Sequence, residues 1–213
     1  MSRQLPNRVL ETAQPLSSEP GTVLLETERL ILRRWQRGDE PHIPNVANYR
    51  EIFRNLRDRF PSPYTPEEAE MFISRRCEPA NWTEYPTHVA IFVKPNAAGN
   101  QSAEPMLIGA VGTAAGSDVE YRSWELGYWF APWAWGNGYA TEMVKAFVPW
   151  VFATWPKLNR LFATIYHTNP ASIRVLEKTK FVNEGIMRGC YEKEGVLVDA
   201  VLLSVIRSDL EKN

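Results

Sequence analysis

The sequence predicts one α+β domain, with a central sheet of mixed but mostly antiparallel strands flanked by helices. Three observations lead there. Residues 124–130 alternate strictly, with Trp124, Leu126, Tyr128 and Phe130 on one side and Glu125, Gly127 and Trp129 on the other. From about Gly138, Ala140, Met143, Val144, Phe147, Val148 and Val151 recur at three- and four-residue steps, the signature of a helix with a wide apolar face. The elements also run strand, helices, antiparallel strands, helix, strand, helix, hairpin, which is not the regular alternation of a doubly wound fold.

Residues 1–21 hold Pro6, Pro15, Pro20 and the pair Ser17-Ser18, and read as an N-terminal arm with no core of its own. Residues 22–213 form the domain. Its first strand is expected over Val23 to Leu32, and Gly38-Asp39-Glu40 opens a helical region that Pro44 keeps irregular. Thr65 and Glu68 have capping-box spacing with Pro66 at the first helical position, and Ala69, Phe72, Ile73 and Arg76 share one face behind them. His88 to Val93 and Met106 to Thr113 read as neighbouring strands, joined by a polar loop from Lys94 to Pro105. Pro149 removes one donor from the long helix and should bend it. Arg160 to Tyr166 is a buried strand, and Asn169 with Pro170 caps the next helix. Val182 to Glu192 and Val196 to Val205 form a closing hairpin.

Composition excludes several classes. A formal net charge of -1 over 213 residues leaves no basic footprint for nucleic acid. No apolar run approaches the roughly 20 residues of a membrane span, and the N-terminus lacks an apolar signal core. Two cysteines, Cys77 and Cys190, read as free thiols in the reducing cytoplasm. Together with His42, His88 and His167 they show no ligand spacing, so no metal is expected.

The most informative stretch runs from Trp133 through Ala134, Trp135, Gly136, Asn137, Gly138, Tyr139, Ala140 and Thr141 to Glu142, after a strand and at the start of a helix. Its glycines let successive N–H groups face one concavity, and the helix start adds partial positive charge, so phosphate is the natural ligand. A plain strand-to-helix turn is the alternative on glycines alone. A P-loop run is absent, and a dinucleotide fingerprint would need a small residue where Thr141 stands.

Four segments then occur in a meaningful order: Glu26-Thr27-Glu28-Arg29-Leu30-Ile31-Leu32-Arg33, Glu125-Leu126-Gly127-Tyr128-Trp129, Trp135 to Glu142, and Asn169 to Lys178. With a weaker fifth match at Gly195 and Asp199, this set resembles the GNAT N-acetyltransferases, in particular their RimJ/RimL-like branch. The resemblance covers roughly Leu25 to Leu210. It implies a sheet splayed between the family's strands 4 and 5, with acetyl-CoA in the cleft as co-substrate. The backbone of Phe130 and Ala131 would hold the pantetheine arm as an added strand. Amides around Trp135, Gly136, Asn137, Gly138, Tyr139, Ala140 and Thr141 would cradle the pyrophosphate. A backbone N–H near Trp129 would polarise the thioester carbonyl, and Asn169 would orient the thiol end.

The chain departs from that pattern in three places. Trp133 stands where Gln or Arg is frequent, Lys180 where a helix-ending Gly is usual, and Leu176 where many members place a Tyr that protonates the thiolate. Ser172 is the nearest substitute acid. Glu125 is the first choice for the base, although a cleft-wall carboxylate that only binds the cationic amine is the competing role. Tyr191 and Asp199 on the hairpin, and Trp35, are expected to border the acceptor, with Trp82 and Tyr85 as further candidates. Glu142 reads as a structural residue stabilised by the helix dipole. The resulting expectation is direct acetyl transfer to a primary amine, a peptide N-terminus or a small molecule, by a chain that is a monomer or homodimer. The alternatives are a silent acyl-CoA sensor with the same fold, which Leu176 motivates, and an interaction module that kept the fold but lost the cofactor, against which Gly136 and Gly138 argue.

Overall fold

The computed structural model describes residues 8–78, 88–95, 97 and 102–211. Trp82 and Tyr85 lie outside them, as does part of the Lys94 to Pro105 loop. Eight strands form one sheet in the order β1-β2-β3-β4-β5-β6-β8-β7: β1 Val23–Glu26, β2 Leu30–Arg33, β3 Val89–Val93, β4 Met106–Ala114, β5 Ser123–Phe130, β6 Arg160–Tyr166, β7 Val182–Lys193 and β8 Val196–Ile206. Every neighbouring pair is antiparallel except β5 and β6.

The expected single strand over Val23 to Leu32 is in fact two. Thr27 breaks it: its amide donates to the Leu30 carbonyl and its hydroxyl accepts from the Leu30 amide, each at 3.0 Å, so the chain reverses into a β1–β2 hairpin. The family's strands 4 and 5 are therefore β5 and β6 here.

Helices cover both faces. On one lies α4, Tyr139–Thr154, with α5, Pro170–Glu177, beside it. On the other lie the short α1, Ile43–Ala47, and α3, Pro66–Cys77. This sandwiching explains why β3 is an unbroken apolar run: Val89, Ile91 and Val93 enter the α4 core, while Ala90 and Phe92 enter the α1–α3 core. Thr65 caps α3 by accepting from the Glu68 amide, and the helix buries only Ala69 and Ile73, the narrow stripe its spacing predicted. Pro149 does not end α4, which runs on to Thr154. Beyond that end, Arg207 donates to the carbonyls of Phe152, Trp155 and Leu158 at 2.8 to 2.9 Å. Its positive charge complements the helix C-terminus. Lys180 takes the left-handed conformation, φ 69°, that its position after α5 demanded.

Between Arg8 and Gly21 the arm forms no helix or strand, yet it is docked on its own chain. Leu10 is only 2 % exposed and belongs to the α4 core, the Ala13 amide donates to the Thr154 carbonyl, and the Arg34 guanidinium holds the Ser17 carbonyl. Leu10→Ala should lower unfolding stability by about 2–4 kcal/mol, as truncating a buried leucine does, and urea denaturation would read it.

Candidate active site

Parallel pairing of β5 and β6 lasts three residue pairs, Ser123 with Arg160, Trp124 with Leu161 and Glu125 with Phe162. Past Glu125 the strands separate, although β5 continues to Phe130 and β6 to Tyr166. A V-shaped gap opens at Glu125, with unpaired strand edges along both arms. Alternation assigns its surroundings: Trp124, Leu126 and Phe130 face the α4 core, and Glu125 faces the opposite side.

On the α4 side, Trp135, Gly136, Asn137 and Gly138 form an exposed loop at the helix N-terminus. Gly136 and Gly138 are both left-handed, at φ 78° and 79°, conformations that glycine adopts without a Cβ penalty. A Cβ on Gly136 would meet nothing within 4 Å, so the loop is open to a ligand. No side chain caps α4 at Gly138, which leaves the first-turn N–H groups of a sixteen-residue helix unclaimed by a cap. These features suit an anionic phosphate group.

Glu142 locks the loop in place. Its carboxylate accepts from the Thr27 hydroxyl at 2.6 Å, the Arg29 amide at 2.9 Å and the Arg29 Nε at 2.7 Å. Arg29 also donates to the Asn137 carbonyl and lies over the Tyr139 ring. Burial acts to raise the Glu142 pKa, but these donors outweigh it and hold the carboxyl below its usual range. Its structural role is thus the observed one.

On the far side, Glu125 is the centre of a polar chain. Arg57 Nη2 contacts its two oxygens at 2.6 and 2.8 Å, the Thr164 hydroxyl donates to it at 3.0 Å, and the Tyr191 hydroxyl donates to Thr164 at 3.0 Å. The Tyr191 ring lies 5.4 Å from that of Tyr166. Arg57 arrives on the segment after α2, Arg50–Phe53, and that segment is strapped to the β7–β8 hairpin. Buried Lys193 reaches the Leu56 carbonyl and Asp58 while its ammonium sits 3.5 Å from the Phe53 ring centre, and Glu194 pairs with Arg50 and Arg54.

Ser172 stands in the first turn of α5, where Asn169 Oδ1 accepts its amide at 3.2 Å. The Ser172 Oγ lies 2.7 Å from the Tyr128 hydroxyl. Burial pushes the Tyr128 pKa up to about 12, against the opposing pull of Ser172, so the phenol keeps its proton at any working pH.

The structure thus gathers Glu125 and Tyr191 on one side of the gap, and Ser172 with the glycine loop on the other. Two expectations need correction, and Asp199 gains a partner. Trp35 is 3 % exposed and packs edge-on against Phe72 at 5.3 Å, a core position with no surface for an acceptor. Ala131 is fully buried, and its N–H is spent on the Ile108 carbonyl, so it has no donor to lend a pantetheine. Asp199 accepts from the Gly189 amide at 2.7 Å, a bond that stabilises the irregular stretch of β7. Phe130 is buried with its carbonyl taken by the Trp135 indole, and Trp129 is half-buried 5.6 Å from the Phe60 ring. Leu176 is fully buried in the α4 core. Sequence reasoning missed Arg57, Thr164 and Tyr128. The first two reach Glu125 across 68 and 39 residues, a distance no local pattern signals. Tyr128 sat on the apolar side of an alternating strand, which hid its hydroxyl. Among the described residues no group of three or more His, Cys, Asp or Glu side chains could hold a metal ion, and no helix is long and apolar enough to cross a membrane.

A mixed sheet split between its two parallel strands, with a glycine loop opening the helix beside the split, is the arrangement expected of the GNAT fold. A family model described as an acetyltransferase (GNAT) domain matches residues 29–182, and the chain belongs to that family. It is 33% identical over 101 residues to the uncharacterized N-acetyltransferase YoaA of Bacillus subtilis strain 168, covering 47% of this chain and 56% of that one. The chain spans about half the length of the curated relatives it matches. Its fold is similar to RimL, a ribosomal L7/L12 alpha-N-protein acetyltransferase solved with coenzyme A (TM-score 0.69, 18% identity, 87% of this chain and 98% of that one). It is also similar to spermidine N-acetyltransferase from Vibrio cholerae, solved with CoA and spermine (TM-score 0.66, 23% identity, 87% and 100%).

Glu142→Gln tests the lock on the loop. Because the folded carboxyl titrates below its unfolded value of about 4.3, its stabilisation is complete above that value and fades as pH falls through the folded one. The mutant should therefore be less stable at pH 7 by about 1–3 kcal/mol, the worth of charge-assisted bonds, with the deficit closing in acid, as denaturation at stepped pH would show.

Proposed function

We propose that this chain moves an acetyl group from acetyl-CoA directly to a primary amine, in the manner of the RimL-like members of its family, with residues 22–213 as the transferase unit. The gap that opens at Glu125, with an open left-handed glycine loop on one side and a carboxylate on the other, carries this reading. A phosphate-bearing thioester and an amine can meet there from opposite sides of the sheet.

The amides from Gly136 to Thr141 would bind the pyrophosphate, helped by the N-terminus of α4. The edge of β5 near Trp129 and Phe130 would align the pantetheine and offer an N–H to the thioester oxygen as it gains negative charge. Acetyl-CoA supplies an activated acyl carbon with a thiolate leaving group. Glu125 would draw the ammonium form of the acceptor into the gap and take the proton that nitrogen must lose. As the nitrogen–carbon bond forms, the carbon–sulfur bond breaks and the electron pair leaves on sulfur. Tyr128 would donate to Ser172, and Ser172 to that sulfur, in a chain whose members strengthen each other. The phenol cannot ionise near neutrality, so this chain stabilises the thiolate by hydrogen bonding. A thiol of ordinary pKa near 8.5 then regains its proton from solvent.

Acceptors of this reading are a peptide N-terminus or a small-molecule amine. Calorimetric titration with acetyl-CoA and CoA, with NADH as comparator, should show binding of the first two only, and turnover on an amine panel would separate the transferase from a silent acyl-CoA sensor. Gly138→Asp should weaken acetyl-CoA binding at least tenfold by placing a carboxylate in the cradle, and unchanged affinity would remove the phosphate assignment. Glu125→Gln should bind acetyl-CoA normally while kcat falls roughly 10²–10³-fold, within the range of lost general-base catalysis.

A further inference from the structure

The Arg57–Glu125 pair poses a problem that a simple amine leaves unsolved. Arg57 contacts both oxygens of Glu125, yet 45% of its own side chain is exposed, against 21% for Glu125. Thr164 already occupies one of those oxygens. An ammonium group arriving at Glu125 is set beside the Arg57 guanidinium, cation against cation. Like charges at such range repel. Cations also outnumber carboxylates on the segment: residues 50–59 carry Arg50, Arg54, Arg57 and Arg59 against Glu51 and Asp58. Asp58 is held by Lys193, and Arg50 and Arg54 share Glu194.

Resting on the transferase reading, we infer that the acceptor carries a carboxylate within a few bonds of its amine. Such a molecule exchanges one ion pair for two: its ammonium takes Glu125 and its carboxylate takes Arg57, so no charge is stranded. The planar guanidinium fork suits a carboxylate, which can be held by two parallel N–H bonds. Arg57 is then the specificity-determining residue, and the segment that bears it selects against polycations. Two sources present this chemistry, a free α-amino acid and a peptide whose first residue is Asp or Glu. A polyamine does not, because it brings only more positive charge to Arg57.

The test measures CoA release by the full chain, supplied with acetyl-CoA, on matched acceptors. One arm compares alanine, leucine and phenylalanine with their α-carboxamides. A second compares Asp-Ala-Ala-amide with Asn-Ala-Ala-amide, and spermidine is the polycation. The carboxylate member of at least one arm should be preferred about tenfold or more in kcat/KM, the scale of one charge-assisted bond, and the arm that responds names the source. Arg57→Gln should bring that preference to within about twofold by raising KM for the acid, while Arg54→Gln, on the same segment but outside the pair, keeps it. Circular dichroism of both variants checks that they fold. Carboxamides or spermidine used as well as the acids, or a preference that survives Arg57→Gln, overturns the inference and leaves the transferase reading standing. A panel silent throughout, with acetyl-CoA bound, overturns both.

Discussion

Everything distinctive in this structure follows from a parallel pairing that stops after three residues. Sheets gain stability by continuing their ladders, so two strands that part while both run on leave backbone groups without sheet partners. The fold tolerates that because the remaining strands are anchored elsewhere: β5 by six register pairs with β4, and β6 by seven with β8. Each strand is secured on its outer side and open on its inner side. The split is therefore a rigid feature of the sheet, and Glu125, the last residue before it, is fixed at its apex.

From that apex the two sides of the sheet acquire different chemistry. The α4 side is a packed apolar core interrupted by the glycine loop, which the Glu142, Thr27 and Arg29 network holds from behind. The other side is a polar chain from Tyr191 through Thr164 to Glu125 and Arg57. Strand alternation makes this separation automatic, since neighbouring residues of β5 face opposite ways. Tyr128 and Glu125 reach different sides of the split because they differ in parity.

Much of this was legible in the sequence, for physical reasons that differ by element. The long helix, the Asn169–Pro170 cap and the closing hairpin were readable because apolar period and capping chemistry are local. The glycine loop was readable because left-handed backbone at a helix start demands small residues. The β1–β2 turn was not, since Thr27 and Arg29 look like ordinary strand residues until their partners are known. Leu10 was hidden in a proline-rich arm whose composition says nothing about what it docks on. Trp35 misled because an aromatic can line a pocket or fill a core, and only the fold decides. Arg57 was illegible because its meaning is a contact with Glu125 across 68 residues, with no spacing to betray it.

The strap between Lys193 and the 50–58 segment has a bearing on how such a site changes over time. Phe53, Leu56 and Asp58 on one loop share a single buried ammonium with the hairpin opposite. A loop borrowed from a relative would strand that ammonium unless the matching hairpin came with it. The loop and the hairpin are then one two-part module, and their residues are expected to change in step rather than one at a time.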